Sequence, residues 1–121
     1  MIYKMFNGVH IDLSKVVAVG PIVPLEDNRM GFRVSVQLMD RPLTWFIPPL
    51  TEKDGELIRE QAVAASAKAI EEGLSDEARK EAFKLARGNA FELVRGKKQR
   101  ILEDAHADLM AAWRAVSEVP A

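Results

Sequence analysis

Two rhythms divide the chain. As far as Pro49, apolar and polar residues alternate with the period of two expected of β-strands. Beyond Thr51, apolar residues recur every three or four positions, the period of an α-helix. In the first part, Met1 to Phe6 reads as a strand, with Ile2, Lys4 and Phe6 on one face and Tyr3 and Met5 on the other. Asn7-Gly8 predicts a two-residue type I′ turn, since both positions accept positive φ, and Val9 to Leu13 is the returning arm. Ser14-Lys15 marks a turn or bulge. Val16 to Val19 is an unbroken apolar run, which predicts a central strand covered on both faces. After Gly20-Pro21 and a polar loop over 24–31, the clearest strand is Phe32 to Met39, with Phe32, Val34, Val36 and Leu38 on one face. Asp40-Arg41-Pro42 turns the chain into a last strand, Leu43 to Ile47. Pro48-Pro49 ends the sheet, because proline donates no ladder hydrogen bond.

The helical part opens with Thr51 and Asp54, the spacing of a capping box. Ile58, Ala62, Ala65 and Ala69 form its core-facing stripe. Gly73 suits a left-handed C′ position, and Ser75 caps the next helix. That next segment carries two seams, Phe83-Ala86-Ala90-Leu93 and Leu102-Ala105-Leu109-Ala112-Val116. The seams are out of phase, because continuing the first beyond Leu93 meets Lys97, Arg100 and Asp104. A single helix over 75–116 is about 60 Å long, against a radius of gyration of about 14 Å for a compact domain of this length. A break near Arg95-Gly96 is therefore expected, with Gly88-Asn89 as the other candidate.

The predicted fold class is α+β: an N-terminal antiparallel β-meander of about four strands, followed by two or three α-helices packed on one face. The expectation is one domain over 1–121, with the meander at 1–49 and the helical part at 51–119. Four strands leave apolar helix surface uncovered, so Leu102, Leu109, Trp113 and Val116 are candidates for a homodimer or higher homo-oligomer interface. The alternative is that they cap the chain's own sheet.

Composition narrows the chemistry. There are 121 residues, 48% of them hydrophobic, and no cysteine. Disulfides, thiolate metal sites and thiol catalysis are thus excluded. The N-terminus lacks the pattern of a signal peptide, and no apolar run approaches the roughly 20 residues of a membrane span. A soluble cytoplasmic protein, with no membrane partner, is the expectation. The net charge of -1 conceals an asymmetry. Over 79–100 eight bases face two acids, whereas 51–78 is acidic. The basic segment makes nucleic acid an alternative partner, through Arg95, Lys97, Lys98 and Arg100. No aromatics are expected to interleave the basic residues of 79–100 as stacking platforms. The competing reading pairs them with acidic neighbours.

Catalytic signatures are lacking. No serine has a nucleophile-elbow context, and the glycines are dispersed rather than gathered into a phosphate loop. Glu103 and His106 share a helix face, as in carboxylate-bridged metal bundles, but the second such motif those bundles use is missing. His10 and Asp12 share a strand face and complete a three-ligand set with His106 only if the fold gathers them. No cofactor is expected. The sequence alone thus favours a non-enzymatic protein–protein interaction or structural module that self-associates through its C-terminal amphipathic helices.

Overall fold

In a computed structural model that describes residues 2–118, the chain is α+β: antiparallel strands at the N-terminus, then two helices. Strands β1 (Ile2–Lys4) and β2 (His10–Asp12) form a hairpin with Tyr3 opposite Ile11. The Tyr3/Met5 face is the inner one. Met5, Ile11 and Leu13 are buried, while Ile2 and Phe6 are exposed. The turn differs from the expected type I′. The Gly8 N–H donates to the Met5 carbonyl and only Gly8 has positive φ, so Phe6-Asn7 form an ordinary turn and Gly8 is the left-handed bulge residue after it. One extra loop residue lets Asn7 stay out of the left-handed region. A 3-10 turn over Leu13–Lys15 follows, capped by Asp12, which accepts hydrogen bonds from the Ser14 N–H and hydroxyl.

The second sheet is built around β5 (Met30–Val36). Along one side of it lie β3 (Val16–Val19) and then β4 (Val23–Pro24), and β6 (Leu43–Phe46) pairs along it too. Gly31 is in register with both Val23 and Phe46, so β5 is flanked on both edges. The arrangement is a three-stranded meander whose first strand is broken at Gly20–Ile22. Val16–Val19 is therefore an edge strand, not a central one. A register shift between Val16 and Ala18 inserts Val17 as a bulge, which leaves Val17 exposed and Val16 buried. The stretch over 24–31 is a tight hairpin, because Asp27 and Asn28 adopt left-handed φ and close it. At the far end of β5 the alternation stops at Val36. The Met39 N–H bonds the Val36 carbonyl, and Leu38, with φ 65, turns into solvent instead of continuing the inner face. Gly31 must lack a side chain, since a Cβ there would lie 2.5 Å from the Trp45 carbonyl oxygen.

Helix α1 (Glu52–Glu71) begins at the expected capping box, with both reciprocal hydrogen bonds present. It ends in a Schellman motif: Gly73 has φ 69 and donates to Ile70, and Leu74 donates to Ala69. Ser75 caps α2 through the Ala78 N–H. Helix α2 (Asp76–Glu118) is a single helix of 43 residues, without the expected break. Gly88 and Gly96 cost about 1 kcal/mol each in a helix interior, too little to end a helix supported on both sides of them. The phase change between the seams is absorbed by a change of partner. The chain forms two compact units, one of the strand region with α2 from Gln99 onward and one spanning Pro49–Lys98. The unit division thus falls inside α2. The strand unit's core gathers Phe32, Val34, Trp45, Met5, Ile11 and Leu13 with Leu102 and Leu109 of α2. In the other unit Ala62 and Ala69 of α1 and Ala90 and Val94 of α2 are buried. Val94 takes the place expected for Leu93, which is exposed. Among the described residues, no helix is long and apolar enough to cross a membrane.

Because Gly96 is interior to α2, Gly96→Ala should stabilise the protein by about 0.5–1 kcal/mol, since nothing lies within 4 Å of the added Cβ. Chemical denaturation measures it. A helix-ending glycine at this position would instead make the substitution destabilising.

Candidate interaction surfaces of the helices

Two side chains on the C-terminal half of α2 reach the backbone of the broken edge strand. The His106 Nε2 lies 2.8 Å from the Gly20 carbonyl oxygen, and the Trp113 Nε1–H donates to the Val16 carbonyl at 3.2 Å. A carbonyl only accepts, so Nε2 carries the proton. The imidazole also meets the Phe32 ring edge-on at 4.9 Å between centroids. His106 is thereby a strut between helix and sheet. Glu103, its proposed metal-binding companion, accepts a hydrogen bond from Gln99 instead. His10 is exposed and Asp12 caps the 3-10 turn. Among the described residues, no three His, Asp or Glu side chains converge as a metal site requires.

The candidate seam divides in the same way. Leu102 and Leu109 are 0% exposed, and Trp113 and Val116 pack against the same core. These residues cover the chain's own strand unit. What remains uncovered lies in the Pro49–Lys98 unit, where α1 and α2 pair through small residues, chiefly alanine. A continuous groove runs along one flank of this helix pair. Two clefts of about 430 and 300 Å3 share Ala86 and Asn89. Leu57, Leu74, Leu85 and Leu93 line it, and Leu85 and Leu93 are 67% and 62% exposed.

On the other flank of α2 the charge collects. Lys80, Lys84, Arg87 and Arg95 lie on one face, spaced four, three and eight. A cleft of about 330 Å3 is lined by Arg79, Lys80, Phe83, Lys84 and Arg87, with Ser66 of α1 across from them. Phe83 lies in that cleft, and Phe91, 39% exposed, sits on the same face between Arg87 and Arg95. The expectation that no aromatics interleave the basic residues therefore fails. Phe83 falls between Lys80 and Lys84 in the sequence itself and Phe91 between Arg87 and Arg95, so the interleaving is legible there without the fold. Of the four bases proposed to meet phosphate, Arg95, Lys97 and Arg100 are exposed. Lys98 forms a salt bridge of 3.1 Å with Asp54, closing the hairpin at the start of α1. The Asp54 carboxyl is held below its usual pKa, first by the Thr51 N–H it accepts and then by Lys98.

Compared with protein-family models, with curated proteins and with solved structures, the chain matches none.

Trp113→Phe removes one hydrogen bond and leaves the Val16 carbonyl without its donor. The expected loss is about 1–2 kcal/mol in urea denaturation, and an unchanged midpoint would show the bond to be idle. The Asp54 carboxylate contributes stability that is present above the ordinary aspartate pKa of about 3.9. That contribution is lost as pH falls through the lower value of the folded state. Asp54→Asn should consequently lower the melting temperature at neutral pH, and its difference from wild type should shrink on acidification below about pH 4. A difference that stays constant with pH would mean the charge is not what matters.

Proposed function

We propose that the protein is a non-enzymatic, self-associating interaction module, and that two copies meet at the leucine-lined groove of the α1/α2 hairpin. The observation that carries this reading is the exposure of Leu57, Leu74, Leu85 and Leu93 along one groove. Two helices with alanines between them bury little apolar area, and small units of this kind gain stability by association. A second copy is the simplest occupant. Twofold pairing covers the same groove on both chains at once and closes without leaving a free edge. Two hairpins together also make the four-helix arrangement that buries a stripe on every helix. This moves the interface away from Leu102, Leu109, Trp113 and Val116, which already serve the core of the strand unit.

Sedimentation of the wild type should show monomer giving way to dimer as concentration rises. Leu85→Glu combined with Leu93→Glu should weaken that association about tenfold or more with helix content unchanged, because both side chains are exposed in the single chain. A wild type that stays monomeric at all concentrations, or a double variant that dimerises normally, sinks the proposal.

A further inference from the structure

We infer that the cationic flank of α2 binds single-stranded nucleic acid, with Lys80, Lys84, Arg87 and Arg95 contacting phosphates and the exposed Phe91 stacking on bases, beside the half-buried Phe83 whose ring Arg87 overlies at 5.8 Å. Four features combine here. First, the cations form one stripe, covering about 22 Å along the helix from Lys80 to Arg95. Second, Lys80, Lys84, Arg87 and Arg95 make no salt bridge among the described residues, unlike Arg79 with Asp76 and Lys98 with Asp54. Their charges are not already spent on carboxylates. Third, the stripe borders a cleft, not a flat surface, and Ser66 of α1 adds a hydroxyl donor on its far wall. Fourth, the aromatics alternate with the bases along the stripe. Alternating cations and ring faces is how sequence-tolerant single-strand sites work, since every base has a face to stack.

Duplex binding fits less well. Phe83 and Phe91 are of no use to paired bases, whose faces are already stacked on one another. A bare polyanion site would need the cations alone. The interleaved rings are what point to bases. The groove proposed for self-association is lined by Leu85, Asn89 and Leu93, on a different face of α2. The two readings can therefore fail separately.

The test is fluorescence anisotropy with a labelled oligothymidylate of about twelve nucleotides, over a series of salt concentrations. Each phosphate neutralised on a single strand adds about -0.7 to the slope of log affinity against log salt, so four contacts predict a slope near -3. Lys80→Ala, Lys84→Ala and Arg87→Ala together should cut the slope by about 2 and the affinity by at least about tenfold. Phe91→Leu should weaken binding about fivefold or more, the lower end of a stacking contribution of about 1–3 kcal/mol, and leave the slope alone. Replacing Arg33, Arg41 and Arg114, which lie off the stripe, by alanine should leave most of the binding intact. Circular dichroism melts establish that each variant is folded. Three results overturn the inference: no salt-dependent binding at low ionic strength, binding that survives the triple substitution, or inorganic polyphosphate competing fully while Phe91→Leu has no effect. The last would identify a general polyanion surface.

Discussion

The strand unit depends on how a broken edge strand is closed against a helix. An edge strand exposes a row of backbone groups that are costly to bury unpaired. Here the Gly20 N–H bonds across to Arg33 on β5, while its carbonyl is met by His106. One residue is thereby satisfied on both sides. Four residues before Gly20, the Val16 carbonyl is met by Trp113. His106 and Trp113 are seven positions apart, two turns of one helix face, or about 10.5 Å. Val16 to Gly20 spans about 13 Å of extended chain, shortened by the bulge at Val17. The spacings match, and they match in reverse order, so the helix runs antiparallel to β3. Between the two struts lies Leu109, fully buried. Polar contacts set the helix's register on the sheet, and the apolar side chains between them supply most of the burial.

Fixing the C-terminal half of α2 in this way explains how one helix serves two units. Leu102 and Leu109 of α2 belong to the core of the strand unit, and Ala90 and Val94 are buried in the Pro49–Lys98 unit. A helix of about 65 Å needs no single core beside it, because the strand unit covers one half and α1 pairs with the other. The glycines at 88 and 96 are the cost of this arrangement that no contact within the chain explains, since neither has any neighbour that a Cβ would disturb.

Local chemistry was legible in the sequence wherever it acts over a few residues. The Thr51/Asp54 capping box, the Gly73 stop and the Ser75 cap all form as their residue types demand. So do the inward faces of Phe32-Val34-Val36 and of Leu102-Leu109. What could not be read depends on partners distant in the chain. Val16 to Val19 resembles a doubly covered strand in composition, but a bulge turns Val17 outward. Leu38 continues an apolar alternation that a turn interrupts. The missing break in α2 has the same origin: a phase slip looks like a helix end when a single core is assumed. For the candidate surfaces, the sequence located the charge in 79–100 correctly as a segment. It did not separate Lys84, which faces the cleft, from Lys98, which Asp54 occupies.

That separation bears on what the helical hairpin can do. The residues buried in this unit are mostly alanines, Ala62, Ala69 and Ala90 beside Val94, so the hairpin has little apolar interior. Side chains that would normally fill a core are displaced to its flanks, and the flanks become grooves. On α2 the sorting is strict. Leu85 and Leu93 fall to one side, and Lys80, Lys84, Arg87 and Arg95 to the other. A helix stabilised only by solvated charges would gain from mixing signs along this face, with acids three or four positions from each base. Glu81 lies three positions before Lys84 and Glu92 three before Arg95, yet among the described residues neither forms a salt bridge with them, and Lys80, Lys84 and Arg87 repel one another along the stripe. Repulsion of that kind weakens an isolated helix, by a few tenths of a kcal/mol for each like-charged pair. It is relieved when an anion lies across the stripe, and the same repulsion then becomes part of the affinity.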